Sequence, residues 1–249
     1  MTTVELGVLV LAAYLTSTLS GIIGMGGGMT LLGVMTLLIP APLVVPLHGI
    51  VQLGSNTTRT LIFLRHVRWS VFATYVPFLL IGVAASAAVY TGTKLTWFRP
   101  VIGLFLLSFI AWRRWKPRLE RPPLWSYAPL GLFTGFLTLF VGATGPFLAP
   151  FFLRDDFTKE EIIATKAVCQ TVAHIAKIPA FVALGFAYGD HAVELGVLLV
   201  MVIAGTMTGK RLLGRLPREA FVRLFVTVLG VLALVLIGRW AWELFAIAP

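Results

Sequence analysis

Two segments of the chain place polar side chains in the same register. Residues 48–59 read HGIVQLGSNTTR and residues 166–177 read KAVCQTVAHIAK. Positions i, i+4, i+8 and i+11 fall within a narrow arc of an α-helix, so each segment presents its four polar residues on one face. We call these faces the first and second polar ladders. The aligned pairs are His48 with Lys166, Gln52 with Gln170, Asn56 with His174, and Arg59 with Lys177.

The side chains of the polar ladders have the chemistry of an anion site. Their ionisable members are Arg, Lys and His, and the 10 Asp and Glu residues all lie near the ends of apolar blocks or in loops. A buried cation without an acidic partner in the protein is stabilised by an anion. Amides and cationic groups are also good hydrogen-bond donors to an oxyanion. The ladders therefore predict a site for a small oxyanion, although Gln and Asn also join membrane helices by hydrogen bonds without any ligand.

The composition indicates that a lipid bilayer surrounds the helices that carry the ladders. The chain has 249 residues, of which 58% are hydrophobic and 12% charged, and its mean hydropathy is +0.94. Soluble domains have about 45–50% apolar and about 25% charged residues. Runs such as LGVLVLAAYL and VELGVLLVMVIAG, with their flanks, approach the roughly 20 residues that cross a bilayer. They do not alternate like the strands of a β-barrel, so the sequence predicts an all-α polytopic membrane protein.

Turn-forming segments divide the chain into eight apolar blocks. At 1.5 Å per residue, Gln52 lies about 14 Å into the second block and Gln170 about 18 Å into the sixth. Both are then near the centre of a hydrocarbon layer about 30 Å thick, where a polar side chain should face another helix or a wet cavity. At the start of the sixth block, Thr158 and Glu161 predict an N-terminal capping box. The blocks cover residues 4–39, 43–64, 69–91, 96–113, 126–153, 159–186, 191–210 and 219–245.

Blocks one and five contain glycine-rich breaks. GMGGGMTLL occupies residues 24–32 and VGATGPFLAP residues 141–150. A helix that begins after GGG or GATG presents free N–H groups and the positive end of its dipole, so two such half-helices pointing inward would add donors to an anion site. Close helix packing is the alternative role of these glycines. The predicted substrate-binding residues are Gln52, Asn56, Arg59, Gln170, His174, Lys177, Gly26, Gly27, Gly28, Gly142, Thr144 and Gly145.

The distribution of Lys and Arg predicts the topology. Segments 113–121 and 210–223 each carry five basic residues, so both are expected on the cytoplasmic side. Eight crossing blocks would place these segments on opposite sides of the membrane. The conflict disappears if blocks one and five are re-entrant or discontinuous segments that do not cross. Each half then has one glycine-broken segment and three transmembrane helices, and the odd number of spans gives two inverted-topology halves.

The two halves are predicted to be homologous repeats within a single integral membrane unit. Residues 1–115 form the N-terminal repeat, residues 116–123 a basic cytoplasmic linker, and residues 124–249 the C-terminal repeat. In addition to the ladders and the glycine breaks, TGTKL at 91–95 matches TGKRL at 208–212. The N-terminus lacks a positively charged leader and a clear cleavage site, so we expect it to be retained.

The glycine breaks and the Gln-bearing helices after them resemble a known family. At GIIGMGGGMTLL and its partner GFLTLFVGATGPFLAP, the sequence resembles the sulfite exporter TauE/SafE family over nearly the whole chain. The resemblance implies a transporter of the bacterial inner membrane that exports sulfite or related organosulfur anions. In the second half, GATGP replaces the triple glycine, so the anion contacts of that break are less defined. The sequence does not separate sulfite from sulfoacetate or another small oxyanion.

The mechanism that we predict is export driven by the membrane potential. Gln52 and Gln170 donate hydrogen bonds to the anion, while Arg59 and Lys177 supply charge at the site or along its approaches. The two halves rock to open the other side of the membrane. Each charge gains about 2.3 kcal/mol per 100 mV. The predicted spans lack a carboxylate that could relay protons or sodium, although a ladder histidine could carry a proton.

Other functional classes fit the sequence less well. An intramembrane enzyme that acts on a lipid-linked phosphate needs an acid, base or nucleophile near the midplane, and the sequence places no carboxylate there. A transporter of another small anion and a membrane assembly factor remain alternatives. The single Cys169 excludes an internal disulfide and a Cys-based metal cluster, and four scattered His do not suit a metal carrier. The net charge of +10 suits cytoplasmic loops rather than nucleic acid. We predict no enzymatic activity, cofactor or metal; the expected partners are a small anion and the lipid bilayer, with a homodimer left open.

Overall fold

The chain folds into α-helices joined by short turns. The computed structural model describes residues 2–90 and 121–246 and, between them, residues 104, 107, 108, 110 and 111. No strand occurs among these residues, so the predicted all-α class is confirmed. The helices are α1 (Thr3–Ile23), α2 (Gly27–Leu38), α3 (Ala41–Ile62), α4 (Trp69–Val89), α5 (Tyr127–Val141), α6 (Gly145–Phe152), α7 (Lys159–Ala183), α8 (Ala192–Leu213) and α9 (Arg218–Ala246).

Five segments of the described chain are long and apolar enough to cross a membrane by length and composition. They are Thr3–Ile23, Trp69–Val89, Leu124–Val141, Tyr188–Leu213 and Glu219–Trp242. Neither α3 nor α7 is among them, because each carries a polar ladder. The multi-pass helical architecture that the composition predicts is therefore present, with the two most polar long helices inside it.

Most predicted blocks correspond to single helices. Blocks two, three, six, seven and eight each form one helix whose ends lie within three residues of the predicted bounds. Blocks one and five are each interrupted, as their glycines indicate. Block four at 96–113, apart from the few residues named above, lies outside the described residues. The TGTKL segment at 91–95 and the linker at 116–123, up to residue 120, also lie outside them.

Glycines with positive φ produce both interruptions. The helix α1 ends at Gly24, whose φ is 74°, and α5 ends at Gly142, whose φ is 78°. This left-handed backbone conformation is favourable for glycine and strained for most other residues. The glycine pattern predicts that α2 begins after the triple glycine, but α2 begins at Gly27. Gly27 and Gly28 therefore belong to the first turn of α2, which packs back against α1.

A capping box begins α7, as predicted. The Thr158 hydroxyl accepts a hydrogen bond from the Glu161 N–H at 3.2 Å, and the Glu161 carboxylate accepts one from the Thr158 N–H at 2.9 Å. The same reciprocal pair, formed by Thr2 and Glu5, begins α1 and was not recognised in the sequence. Each box satisfies two N–H groups that a helix N-terminus otherwise leaves without a partner.

Two pairs of helices each join one half of the chain to the other. The first helix of each half packs on a helix of the other half: α1 on α8, and α5 on α4. The two ladder helices, α3 and α7, pack directly against each other between these pairs. In addition, α3 contacts α8, and α7 contacts α4. This arrangement places the ladders at the centre of the bundle, between the two glycine breaks.

Glycines set the close approach within the two outer pairs. A Cβ added at Gly205 or Gly209 of α8 would collide with the main-chain carbonyl oxygens of Tyr14 and Thr18 of α1. In the other pair, a Cβ at Gly131 or Gly135 of α5 would collide with carbonyl oxygens of α4. Each glycine pair is a GxxxG motif, the spacing with which membrane helices approach each other closely. The sequence contained this signal, and our sequence analysis did not use it.

The substitution Gly209→Ala is expected to destabilise the protein, because the added Cβ would collide with backbone atoms, which cannot move away by a rotamer change. We expect a loss of about 1–3 kcal/mol, measured as a lower midpoint of thermal unfolding in detergent. Gly196→Ala on the same helix is the matched control, because no atom of the described residues lies within 4 Å of its added Cβ. Equal unfolding midpoints for the two variants would contradict the packing argument.

Candidate functional site

Both polar ladders are buried between α3 and α7. His48, Gln52, Asn56, Arg59, Lys166, His174 and Lys177 are each at most 4% exposed, and Gln170 is partly buried. The two histidine rings lie edge to face, with their centroids 6.2 Å apart. The faces that the sequence aligned therefore turn toward each other in the folded chain.

A small cavity lies between the two ladders. Its volume is about 20 Å³, and a cavity of roughly 10–15 Å³ already holds a water molecule. The ladder residues that line it are His48, Gln52, Arg59, Lys166, Gln170 and His174. The α1–α2 break contributes Ser20, Gly24, Met25, Gly26, Gly28 and Met29, and the α5–α6 break contributes Ala143 and Gly145. Both glycine breaks thus reach the same cavity as both ladders.

The cavity brings together seven of the twelve predicted site residues. These are Gln52, Arg59, Gln170, His174, Gly26, Gly28 and Gly145. The other five are buried nearby without lining the cavity: Asn56, Lys177, Gly27, Gly142 and Thr144. Among these five, Gly27 packs against Thr16 of α1, and Thr144 is the N-cap residue of α6.

Each glutamine of the ladders lies beside the glycine-started helix of its own half. A Cβ added at Gly28 would lie 3.0 Å from Oε1 of Gln52, and a Cβ added at Gly145 would lie 2.9 Å from Nε2 of Gln170. Glycine at these positions therefore leaves room for the two amide groups at the cavity. The first turns of α2 and α6, with their free N–H groups, face the cavity at the same places.

Main-chain carbonyls at the glycine breaks hold three of the ladder side chains. Nζ of Lys166 donates to the carbonyl of Gly24 at 3.1 Å, and Nζ of Lys177 donates to the carbonyl of Gly142 at 2.6 Å. Nε2 of His48 donates to the Gly28 carbonyl at 2.8 Å. The two lysines thus bind carbonyls at the C-terminal ends of α1 and α5, where the helix dipole favours a cation.

Arg59 is the least satisfied cation at the cavity. Its Nη2 donates to Oδ1 of Asn56 at 2.6 Å, and Nδ2 of Asn56 donates to the Gln52 carbonyl at 2.8 Å. Its Nε and Nη1 atoms are buried and have no hydrogen-bond partner among the described residues. Among the described residues, no ion pair joins Arg59, Lys166 or Lys177 to an acidic side chain. The cavity therefore carries buried positive charge that the described protein does not neutralise, and this arrangement suits an anion.

The structure adds cavity residues that the sequence analysis did not select. His48 and Lys166 were aligned with each other in the ladders but were not selected as site residues. Ser20, Gly24, Met25, Met29 and Ala143 were not selected either. The alignment of the ladders contained the signal for His48 and Lys166, because each completes a face whose other residues were chosen. The apolar and small residues give no such signal, since their role follows from how the breaks fold.

The fold and the cavity define a multi-pass helical membrane protein with an internal cationic site. Comparison with known protein families matches residues 9–236 to the family described as sulfite exporter TauE/SafE. The chain therefore belongs to the TauE/SafE family of membrane transporters for sulfite or related anions, and the resemblance seen in the sequence is confirmed. Comparisons with curated proteins and with solved structures gave no match.

Replacing Arg59 by Met is expected to stabilise the substrate-free protein. Replacing a buried ion pair by well-packed apolar residues is often neutral or stabilising by about 1–4 kcal/mol. Arg59 lacks even the acidic partner of such a pair among the described residues, so we expect a gain within this range. The midpoint of thermal unfolding in detergent should rise by roughly 2–4 °C for each kcal/mol gained. A lower midpoint would show that Arg59 has compensating partners in the empty protein.

Arg154→Met is the matched control for this measurement. The Arg154 guanidinium makes two hydrogen bonds, of 2.8 and 2.7 Å, to the carboxylate of Asp156, in the turn before α7. The hydrogen bond from Arg154 lowers the pKa of Asp156 below its ordinary value. Because this guanidinium is paired, we expect its removal to lower the unfolding midpoint, opposite to the effect at Arg59.

Proposed function

We propose that this protein exports sulfite or a related small organosulfur oxyanion through the cavity between α3 and α7. The observation that carries the proposal is the pair of cations, Arg59 and Lys166, which line a buried cavity without an acidic partner among the described residues. Such a site is electrostatically incomplete until an anion enters it. Membership of the family supports this reading, and we assign the protein to the bacterial inner membrane.

The ligands in this proposal are arranged around one bound oxyanion. Gln52 and Gln170 donate amide N–H bonds to its oxygens from opposite ladders. Arg59 supplies charge through nitrogens that have no partner in the described part of the chain, and Asn56 fixes the orientation of its guanidinium. Main-chain N–H groups at the starts of α2 and α6 add further donors. Lys177 acts indirectly in this proposal, because its Nζ holds the carbonyl of Gly142 at the second glycine break.

We further propose that the two halves have inverted topology around this site. Three features support the proposal: the glycine break in each half, the central pair of ladder helices, and the recurrence of the packing of α1 on α8 in the packing of α5 on α4. In this arrangement α1–α2 and α5–α6 are re-entrant, although α1 and the segment Leu124–Val141, which contains α5, are long enough to cross. The three spans that the sequence predicts for each half would then reverse its orientation. Inverted repeats with discontinuous helices are a common plan for secondary transporters, in which the halves rock around a fixed site.

The membrane potential supplies the driving force in this proposal. An anion that leaves a cell whose interior is negative gains about 2.3 kcal/mol per charge for each 100 mV. One charge then supports a gradient of roughly fiftyfold per 100 mV without a coupled ion. No carboxylate lines the described part of the cavity, so the proposal includes no carboxylate relay.

Gln52→Ala and Gln170→Ala test the site. In proteoliposomes with an imposed potential, each variant should transport sulfite at least about tenfold more slowly than the unchanged protein, because one good hydrogen bond to a charged group is worth about 1.5–3 kcal/mol. Thr58→Ala is the control: this residue lies on α3, its hydroxyl bonds to the Gly54 carbonyl, and it does not line the cavity. Normal transport by both glutamine variants would exclude the ladders as the site.

A topology reporter at Asp155 tests the inverted halves. Asp155 lies in the turn between α6 and α7, which the re-entrant arrangement places on the cytoplasmic side together with segment 210–223. A reporter at Asp190, in the turn before α8, should give the opposite, external signal. An external signal at Asp155 would remove the inverted arrangement, while the proposed cavity would still be testable by transport.

A further inference from the structure

We propose that the cavity selects divalent over monovalent oxyanions and that Lys166 supplies the second positive charge. This inference rests on the proposed function, because it concerns the substrate of the same site. Each transported anion carries two negative charges, and Lys166, which was not among the predicted site residues, determines this specificity.

The ammonium group of Lys166 lies at the cavity wall opposite the first ladder. The residue is 1% exposed and lines the cavity. Its Nζ atom donates to the Gly24 carbonyl at 3.1 Å, which uses one of its three N–H donors. A Cβ added at Gly145 would lie 3.7 Å from this Nζ and 2.9 Å from Nε2 of Gln170. Lys166 and Gln170 therefore present a charged and a neutral donor to the same part of the cavity.

The charges at the cavity determine which anion is neutralised there. Arg59 and Lys166 both line it, and neither has an acidic partner among the described residues. A monovalent anion would leave one of these two charges uncompensated in a low-dielectric site, which costs several kcal/mol. A divalent anion neutralises both. Lys177 stands apart from this balance because it does not line the cavity.

The competing explanation is that Lys166 only caps the C-terminal end of α1. Its bond to Gly24 satisfies a carbonyl at a helix end, and a neutral donor could do the same. Lys166→Gln keeps an N–H donor and removes the charge, whereas Lys166→Arg keeps the charge. These two substitutions separate the capping role from the charge that we propose.

The first experiment measures the charge that moves with each anion in the unchanged protein. Proteoliposomes are held at a series of imposed potentials, at a pH well above the second ionisation of sulfurous acid, and the sulfite gradient at zero net flux is recorded. For one charge the gradient grows roughly fiftyfold per 100 mV, and for two charges by the square of that factor. We expect the squared dependence, and a dependence that corresponds to one charge would overturn the inference.

The second experiment compares sulfite with chlorate, which has the same pyramidal shape and electron count but a single negative charge. In Lys166→Gln the ratio of sulfite to chlorate transport should fall by at least about tenfold, because a charged contact is lost for the divalent ion. Lys166→Arg should preserve the ratio. Lys159→Gln is the control, since Lys159 on the same helix binds the carbonyls of Leu213 and Leu216 at 2.9 and 2.8 Å, away from the cavity.

The outcomes distinguish this inference from the proposed function. If the unchanged protein shows no potential-dependent sulfite flux, both the proposed function and this inference are wrong. If sulfite flux depends on potential but Lys166→Gln retains the ratio of the unchanged protein, the inference alone fails. Should Lys166→Gln not fold, the charge per anion in the unchanged protein still decides whether the transported ion is divalent, and one charge per anion would overturn the inference.

Discussion

The structure depends on positive charge that is buried in the centre of a membrane protein and has no acidic partner in the described chain. Such charge is normally solvated by water, and burying it away from water costs free energy. Here the ladder cations lie between α3 and α7, surrounded by the more apolar helices. Two of them, Lys166 and Lys177, are held by main-chain carbonyls, while two nitrogens of Arg59 have no hydrogen-bond partner that the structure describes. The helices thus enclose positive charge that the described residues leave without an acidic partner.

The glycine breaks serve the cations and the cavity together. Where α1 and α5 end, positive φ at Gly24 and Gly142 exposes carbonyls that accept from the buried lysines. Where α2 and α6 begin, a few residues later, N–H groups and glycines without side chains adjoin the cavity. One interruption of a helix therefore provides carbonyl acceptors for the protein's own cations and N–H donors beside the cavity, because the two ends of a helix dipole have opposite sign.

The aligned residues of the two ladders differ in their contacts. In the second half Lys177 caps the glycine that ends α5 of its own half, whereas the corresponding Gly24 is capped by Lys166 from the other half. Arg59, which aligns with Lys177, is thereby left to the cavity. His48, which aligns with Lys166, binds Gly28 within its own half. This asymmetry gives the aligned positions different chemical roles and places the freest cation on the first ladder.

Sequence alone determined the helical membrane class, the helix bounds to within a few residues, the two glycine breaks and the pairing of the ladders. These features follow from local properties: apolar block length, the conformational freedom of glycine and the helical spacing of polar residues. Tertiary structure alone decided which ladder residues line the cavity. Lys177 and Asn56 share faces with Arg59 and Gln52, yet they bind Gly142 and Arg59 instead. Periodicity gives the direction in which a side chain leaves its helix, but the contacts of that side chain depend on where distant segments fold. Lys166, for example, binds the carbonyl of Gly24, which lies 142 residues away in the sequence.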